Sequence, residues 1–232
     1  MYHSISPPQW AHPALCTSPE RFQAQMLYLK RRNLRGVSMG DLYRAMNAGD
    51  ARGLVGLTFD DGYEDFLHTA LPILEKHAFS ATVFVVAGML GQENSWEHRG
   101  GPRPRLRLLG VRGVREVQER GMEIGSHTLT HPRLSELDRR VLVREVSESR
   151  QILSGILGTP VDGFCHPYGD LDSAAVQVVR ETGYAYACAT KKRVENTVYD
   201  WPRIYVGDKD SSLRLGIKLR VNPVSVRSGK IR

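Results

Sequence analysis

Leu54-Val55-Gly56-Leu57-Thr58-Phe59-Asp60-Asp61-Gly62 is an apolar run that stops at two adjacent carboxylates and a glycine. A run of this kind, bounded by glycine, reads as a buried strand whose last residues reach an open mouth. Two neighbouring carboxylates there are costly to keep ionised unless a cation or a proton transfer uses them. A second polar stretch, Ser126-His127-Thr128-Leu129-Thr130-His131-Pro132, follows the apolar segment 122–125. Its imidazoles stand four residues apart, so a helical turn would place both on one face, within reach of one ion. One carboxylate and two imidazoles make a three-ligand set for a catalytic divalent metal, with room for a water. The second carboxylate is then free to act as a base. Taken alone, either stretch is equally readable as an ordinary Asp-Gly turn or a pair of surface histidines.

Working outward, strand-like runs alternate with helical patterns along most of the chain. Strands are expected at 2–5, 36–38, 54–59, 81–87, 122–125, 163–165, 184–190 and 203–206, from their β-branched and aromatic content. Ser18-Pro19 predicts a helix start, with Phe22, Met26 and Leu29 on its inner face. Ser135 with Asp138 resembles a capping box ahead of Leu142, Val146, Ser149, Leu153 and Ile156. Tyr63, Glu64 and Asp65 open the next helix, and Gly183 closes the one containing Val176 and Val179. Such alternation implies an α/β fold with mainly parallel strands wrapped by helices. Seven or eight strands favour a closed or nearly closed barrel, and no Gly-rich phosphate loop follows the first strand. In barrels the carboxyl ends of the strands share one open face. That face would collect His3, Asp60, Asp61, His127 and Tyr168, with the Gly-, Pro- and Arg-rich loop 88–109 at its border.

The 232 residues suit one domain: 1–221 as the catalytic unit and 222–232 as a basic, loosely held tail. No apolar stretch has the length of a membrane span, and the N-terminus lacks a basic segment followed by an apolar one. The expected location is therefore cytoplasmic, or secreted or cell-surface if the recorded start is incomplete. Three widely spaced cysteines, Cys16, Cys165 and Cys188, imply no disulfide framework. The net charge of +7 is concentrated in 99–120 and 214–232. Neither stretch is interleaved with aromatics, so a solvated basic face is favoured over nucleic-acid binding.

Together, Thr58-Phe59-Asp60-Asp61-Gly62 and Ser126-His127-Thr128-Leu129-Thr130-His131-Pro132 resemble the polysaccharide deacetylase family, which shares the NodB-homology domain. The resemblance runs from His3 to about Val206. It implies a distorted (β/α) barrel of about seven parallel strands that removes acetyl groups from sugars with a divalent metal, zinc foremost and cobalt, nickel or manganese as alternatives. By the same resemblance Asp60 is the general base, and Asp61, His127 and His131 hold the metal. Phe164-Cys165-His166-Pro167-Tyr168-Gly169 matches a third family motif at Pro167, Tyr168 and Gly169, which implies a groove wall with the Tyr168 amide aimed at the oxyanion. The arginine that orients the base in the family is replaced by Cys165, a residue read as a small buried filler. Arg203, in Trp201-Pro202-Arg203-Ile204, is a candidate for its role, equally readable as a surface arginine at a strand end.

The family's C-terminal histidine, its general acid, is absent, since no histidine follows His166. Met1-Tyr2-His3-Ser4-Ile5 instead resembles the N-terminal Tyr-His motif of the poly-N-acetylglucosamine deacetylase branch. There the barrel order is circularly permuted and this histidine supplies the proton. His166 is open between groove lining and plain loop, and Trp96 between a sugar-stacking platform and packing. His12, His68, His77 and His98 are assigned to surface or packing. The reading is hydrolysis of an N-acetyl group on an amino sugar or glycan by a metal-held water. Its rivals are a small-amide hydrolase and a catalytically silent carbohydrate- or metal-binding module. Oligomeric state is left open.

Overall fold

A computed structural model describes residues 1–7, 15–96, 104–190 and 194–221. Nine short strands and seven α-helices follow in the order β1 (Ser4–Ile5), β2 (Cys16–Thr17), α1 (Pro19–Arg31), β3 (Arg35–Val37), α2 (Met39–Ala48), β4 (Leu54–Gly56), β5 (Thr58–Phe59), α3 (Leu71–Lys76), β6 (Thr82–Val85), α4 (Val111–Glu119), β7 (Glu123–Ser126), α5 (Arg139–Leu157), β8 (Gly163–Cys165), α6 (Ser173–Glu181), β9 (Tyr186–Cys188) and α7 (Ser212–Val221). The predicted tail 222–232, with His12 and His98, lies outside the described residues.

β5 to β9 form one curled, all-parallel sheet in chain order, while β1–β2 and β3–β4 are separate parallel pairs. The strand expected at 54–59 is thus two. β4 pairs with β3, and β5 pairs with β6. Leu57 is the switch between them: its N–H donates to Val37 O and its carbonyl accepts from Thr82 N–H, each at 2.9 Å. The strand expected at 203–206 does not form. Pro202 has no N–H to offer a ladder, and only a bridge from Trp201 to Cys188 is made there. The first expected strand is reduced to a bridge at Tyr2 and the two-residue β1. β2 has no counterpart among the expected strands; two residues carry no alternation to read.

Backbone hydrogen bonds nevertheless continue past both sheet edges. Trp201 N–H donates to Ala187 O at 2.9 Å, and Val206 N–H donates to Met1 O at 3.0 Å. Tyr2 N–H then donates to Thr58 O at 2.8 Å, and Asp60 N–H to Tyr2 O at 3.0 Å. The chain's first residues therefore lie between the 201–206 segment and β5. This places His3 and Arg203 next to the edge strand that carries both aspartates.

The helices bury the faces their spacing predicts. α1 turns Phe22, Met26 and Leu29 inward, and Phe22 meets Tyr2 and Phe59 edge-on at 5.1 and 5.7 Å between ring centres. Ser18 does not cap α1 with its side chain; its hydroxyl donates to Asp208 instead. The cap of α5 is Asp138, which accepts from Val141 N–H, while Ser135 binds Asp170. Gly183 follows α6 at φ +88°, as a helix end requires. Asp65 does more than open a helix: it accepts from Ser4 Oγ and Ile5 N–H, pinning β1 beside β5. Phe22→Ala should lower stability by about 3–5 kcal/mol in urea unfolding, because it empties the contact joining Tyr2 and Phe59.

Candidate active site

Asp60 and Asp61 stand at the carboxyl end of β5, His127 directly after β7, and Pro167-Tyr168-Gly169 just beyond β8. Parallel strands in register put these ends side by side. Asp60, Asp61, His127 and His131 are 4, 3, 2 and 4% exposed. Asp61 Oδ1 lies 3.5 Å from His127 Nε2 and 3.3 Å from His131 Nε2. The ligating atoms of the three all fall within 4.8 Å of one another.

The backbone is bent to make this possible. Asp61, Thr128, His131 and Tyr168 all have positive φ, at 73, 71, 66 and 59°. Left-handed non-glycine residues cost about 1–3 kcal/mol each and persist only where the surroundings enforce them. Only three other non-glycine positions among the described residues share this conformation, so the strain is concentrated here. Gly62, at φ +75°, has no space for a Cβ, which would meet Val85 Cγ1 at 2.7 Å. The two histidines are brought together by this left-handed turn rather than by the helical turn expected from their spacing.

Donor chemistry supports a cation at Asp61. His127 Nδ1 lies 2.8 Å from Cys165 O; a carbonyl can only accept, so Nδ1 carries a proton and Nε2 is the atom turned to Asp61. Burial works against ionisation of Asp61, yet His127 and His131 hold its carboxyl well below the usual range. Burial keeps His131 neutral, down at about 4. Burial also opposes charge on His127, but Cys165 and the Asp61 hydrogen bond lift it well above its ordinary value. In the metal-free centre the His127 proton therefore offsets Asp61, and a divalent cation would displace it. These residues fit a divalent cation with one oxygen and two nitrogen donors.

Asp60 is committed differently. Arg203 Nη1 donates to its Oδ1 at 2.6 Å and Nη2 to Oδ2 at 2.7 Å, a two-pronged pair. Burial would raise the Asp60 carboxyl, but the Arg203 charge and hydrogen bonds bring it to about 2. Arg203 is fixed by further bonds to Ala189 O, Thr58 Oγ1 and Cys165 Sγ. Of its two readings, the surface arginine is excluded, since it is 9% exposed. Asp60, His127 and Cys165 also lie close enough to hold an ion. Both Asp60 oxygens are already taken by Arg203, so the Asp61 group is the better cation site.

Other candidates separate into two groups. Trp96 stacks on His131 at 4.4 Å, Tyr168 meets that ring edge-on at 4.6 Å, and Arg133 lies over Tyr168 at 4.3 Å. Trp96 and Tyr168 thus wall the ligand histidine. His166 does not face a groove: it is 1% exposed, and its Nε2 lies 3.0 Å from Tyr199 O. Pro167 is buried beside it. Burial lowers the His3 imidazole from its usual value, against the pull of Asp61 and Asp60, so His3 lies within electrostatic reach of both. Sequence reading misses Tyr63, whose buried phenol hydrogen bonds toward Asp61 and accepts from Asn94. It also misses Glu145, which accepts from the turn between the two histidines. A charged residue between Leu142 and Val146 on the apolar stripe of α5 is the available signal.

A curled parallel sheet with an Asp–His–His cluster and a guanidinium-held carboxylate at its carboxyl edge defines a NodB-type deacetylase fold. Similarity to known proteins agrees. A family model described as polysaccharide deacetylase matches residues 48–187, and the chain belongs to that family. It is 24% identical over 193 residues to Bacillus subtilis YxkH, named as a candidate polysaccharide deacetylase, covering 82% of this chain and 63% of that protein. It is 22% identical over 204 residues to a poly-β-1,6-N-acetyl-D-glucosamine N-deacetylase of Staphylococcus aureus, covering 82% and 68%. The chain therefore spans about two-thirds of the length of these relatives. The structure of the Streptococcus pyogenes deacetylase PplD with acetate superposes with a TM-score of 0.80 at 26% identity, covering 94% of this chain and 95% of that one. IcaB from Ammonifex degensii has the same fold, with a TM-score of 0.76 at 20% identity and 93% of each chain covered.

Arg203→Met should destabilise the metal-free protein by about 3–5 kcal/mol, because it leaves a buried carboxylate unpaired. Asp60→Asn in the same chain should recover much of that loss. Urea unfolding of the two single variants and the double variant measures the coupling.

Proposed function

We propose that residues 1–221 form a metal-dependent deacetylase that hydrolyses the N-acetyl group of an amino sugar or N-acetylglucosamine-containing glycan. The observation that carries this is the division of labour within one dipeptide. Asp61 joins His127 and His131 in a ligand cluster, while Asp60 is held apart, ionised, by Arg203. The names of the Staphylococcus aureus relatives and of PplD support a glycan substrate. The 201–206 segment and Met1–Tyr2, bonded in sequence to β9 and β5, support a distorted seven-stranded barrel with the N-terminal strand permuted to the end of the order.

Asp61, His127 and His131 would hold a divalent cation, zinc foremost, which when bound would supply Lewis acidity toward the acetyl carbonyl and water. Asp60 would accept the proton of the attacking water. At about 2 its carboxyl is ionised throughout the neutral range and passes the proton on rather than storing it. Arg203 fixes its orientation through both oxygens. Tyr168, on its left-handed turn, offers its amide to the developing oxyanion. His3 gives the leaving amine its proton; burial disfavours its charged form, so the imidazolium is a ready donor. Trp96 and Tyr168 flank the sugar. The silent-module reading rests on the missing arginine and the missing C-terminal histidine, and the Arg203–Asp60 pair argues against the first of these.

Acetate release from poly-N-acetylglucosamine fragments, chitin oligomers and small N-acetyl sugars tests the assignment. Chelation should abolish release, and added zinc should restore it. Asp60→Asn should abolish turnover while zinc remains bound. His3→Gln should lower kcat by about 10²–10⁴ with zinc retained. Release from none of these substrates by zinc-loaded protein would sink the proposal and favour a small-amide hydrolase.

A further inference from the structure

We propose that Glu145 is a positioning residue that sets the affinity of the Asp61–His127–His131 centre for its cation. The inference rests on the metal reading above and concerns how the two histidines are aimed. Glu145 lies on the inner face of α5 and is 6% exposed. Among the described residues no lysine or arginine pairs with it. Its carboxylate is satisfied by the stretch between the two ligands. Leu129 N–H and Thr130 N–H both donate to Oε2 at 2.9 Å, and Thr130 Oγ1 donates to Oε1 at 2.7 Å.

Those donors belong to a turn whose internal bonds run through side chains; among the described residues, no backbone-to-backbone bond joins its own members. Thr128 and His131 are both left-handed. The His131 N–H is spent on Thr128 Oγ1 at 2.9 Å, and the carbonyls of Thr128 and Leu129 accept from Ala87 and Gly88. The two remaining inner N–H groups point to α5, and two amides converging on one oxygen form an anion-binding turn. One helical turn further on, Ser149 Oγ contacts Ser126 Oγ at 2.8 Å, and Ser126 Oγ accepts from Thr128 N–H. One face of α5 therefore fixes the turn at two points. With the turn so fixed, the His131 ring comes edge-on to His127 at 4.8 Å, with both Nε2 atoms on Asp61 Oδ1. Oε2 takes both amides and Oε1 the Thr130 hydroxyl. Leucine at 145 would leave all three donors without an acceptor, whereas glutamine would keep both amides on its one oxygen and donate its own N–H to the Thr130 hydroxyl.

Zinc affinity of the chelator-stripped protein, measured by competition with a chromophoric chelator, tests the proposal without reference to turnover. Glu145→Leu should weaken zinc binding by about 10–100-fold and alter the visible spectrum of the cobalt-loaded protein. Thr130→Val removes one bond of the three and keeps the residue's shape. It should weaken zinc by about fivefold, and it decides the matter if Glu145→Leu does not fold. Wild-type zinc affinity in a variant that merely unfolds at lower urea would show a brace of the fold only and overturn the proposal. A wild-type chain that binds no zinc would overturn the metal reading itself, a result that needs no variant to see.

Discussion

Two adjacent carboxylates, each almost sealed from water, are the constraint to which the rest of the site answers. Burial alone would protonate both, and a neutral pair could neither hold a cation nor accept a proton. The fold meets them with different partners. Asp60 receives a guanidinium, which is always charged and matches a carboxylate two atoms to two. Asp61 receives two imidazoles: burial keeps His131 neutral, while against burial Cys165 and Asp61 hold His127 in its charged form. One carboxylate has a permanent counter-charge, and the other has a proton that a divalent cation would displace. Two chemical roles are thus separated within a single peptide unit, by neighbours alone.

Those neighbours arrive from parts of the chain that the regular sheet does not include. Arg203 lies beyond β9, in a segment whose proline prevents a ladder, and His3 adjoins the bridge at Tyr2. Arg203 is tied by one backbone bond, its N–H to Thr190 O, and His3 through the backbone bonds of its neighbours Tyr2 and Ser4. Their precision comes from side chains: Phe22 and Phe59 around Tyr2, and the bonds that splay around the Arg203 guanidinium. Where the ladder ends, packing and buried polar bonds take over the positioning.

This division also accounts for what is legible in the sequence. Asp60-Asp61-Gly62 and His127 with His131 stand out because carboxylates and imidazoles at the ends of apolar strands are costly to bury unless a cation or a proton uses them. The parallel sheet is legible because the stretch 81–87 around β6 is apolar at every position but Thr82 and β6 is buried throughout, as a strand covered on both faces must be. The split of 54–59 into β4 and β5 is not, since it depends on which carbonyl Leu57 faces. His166 sits beside a motif tyrosine, yet strand polarity cannot reveal that its ring turns back into the core toward Phe164. Glu145 is hidden for the opposite reason: a helical stripe is recognised by its apolar members, and a lone charged residue among them leaves the pattern intact.

Cys165 ties these threads together. It occupies the place of the family's base-orienting arginine, and it is wholly buried, with Sγ 3.0 Å from Arg203 Nη2 and 3.7 Å from Asp60 Oδ2. An arginine at 165 would put a second guanidinium into a volume where the first already saturates the carboxylate. Two like charges there would share one counter-charge, in a region too dry to screen them. The two arrangements are therefore exclusive. A small residue at 165 is the condition for an arginine at 203, and a search confined to the motif finds a loss where the folded site shows the same charge brought from the segment beyond β9.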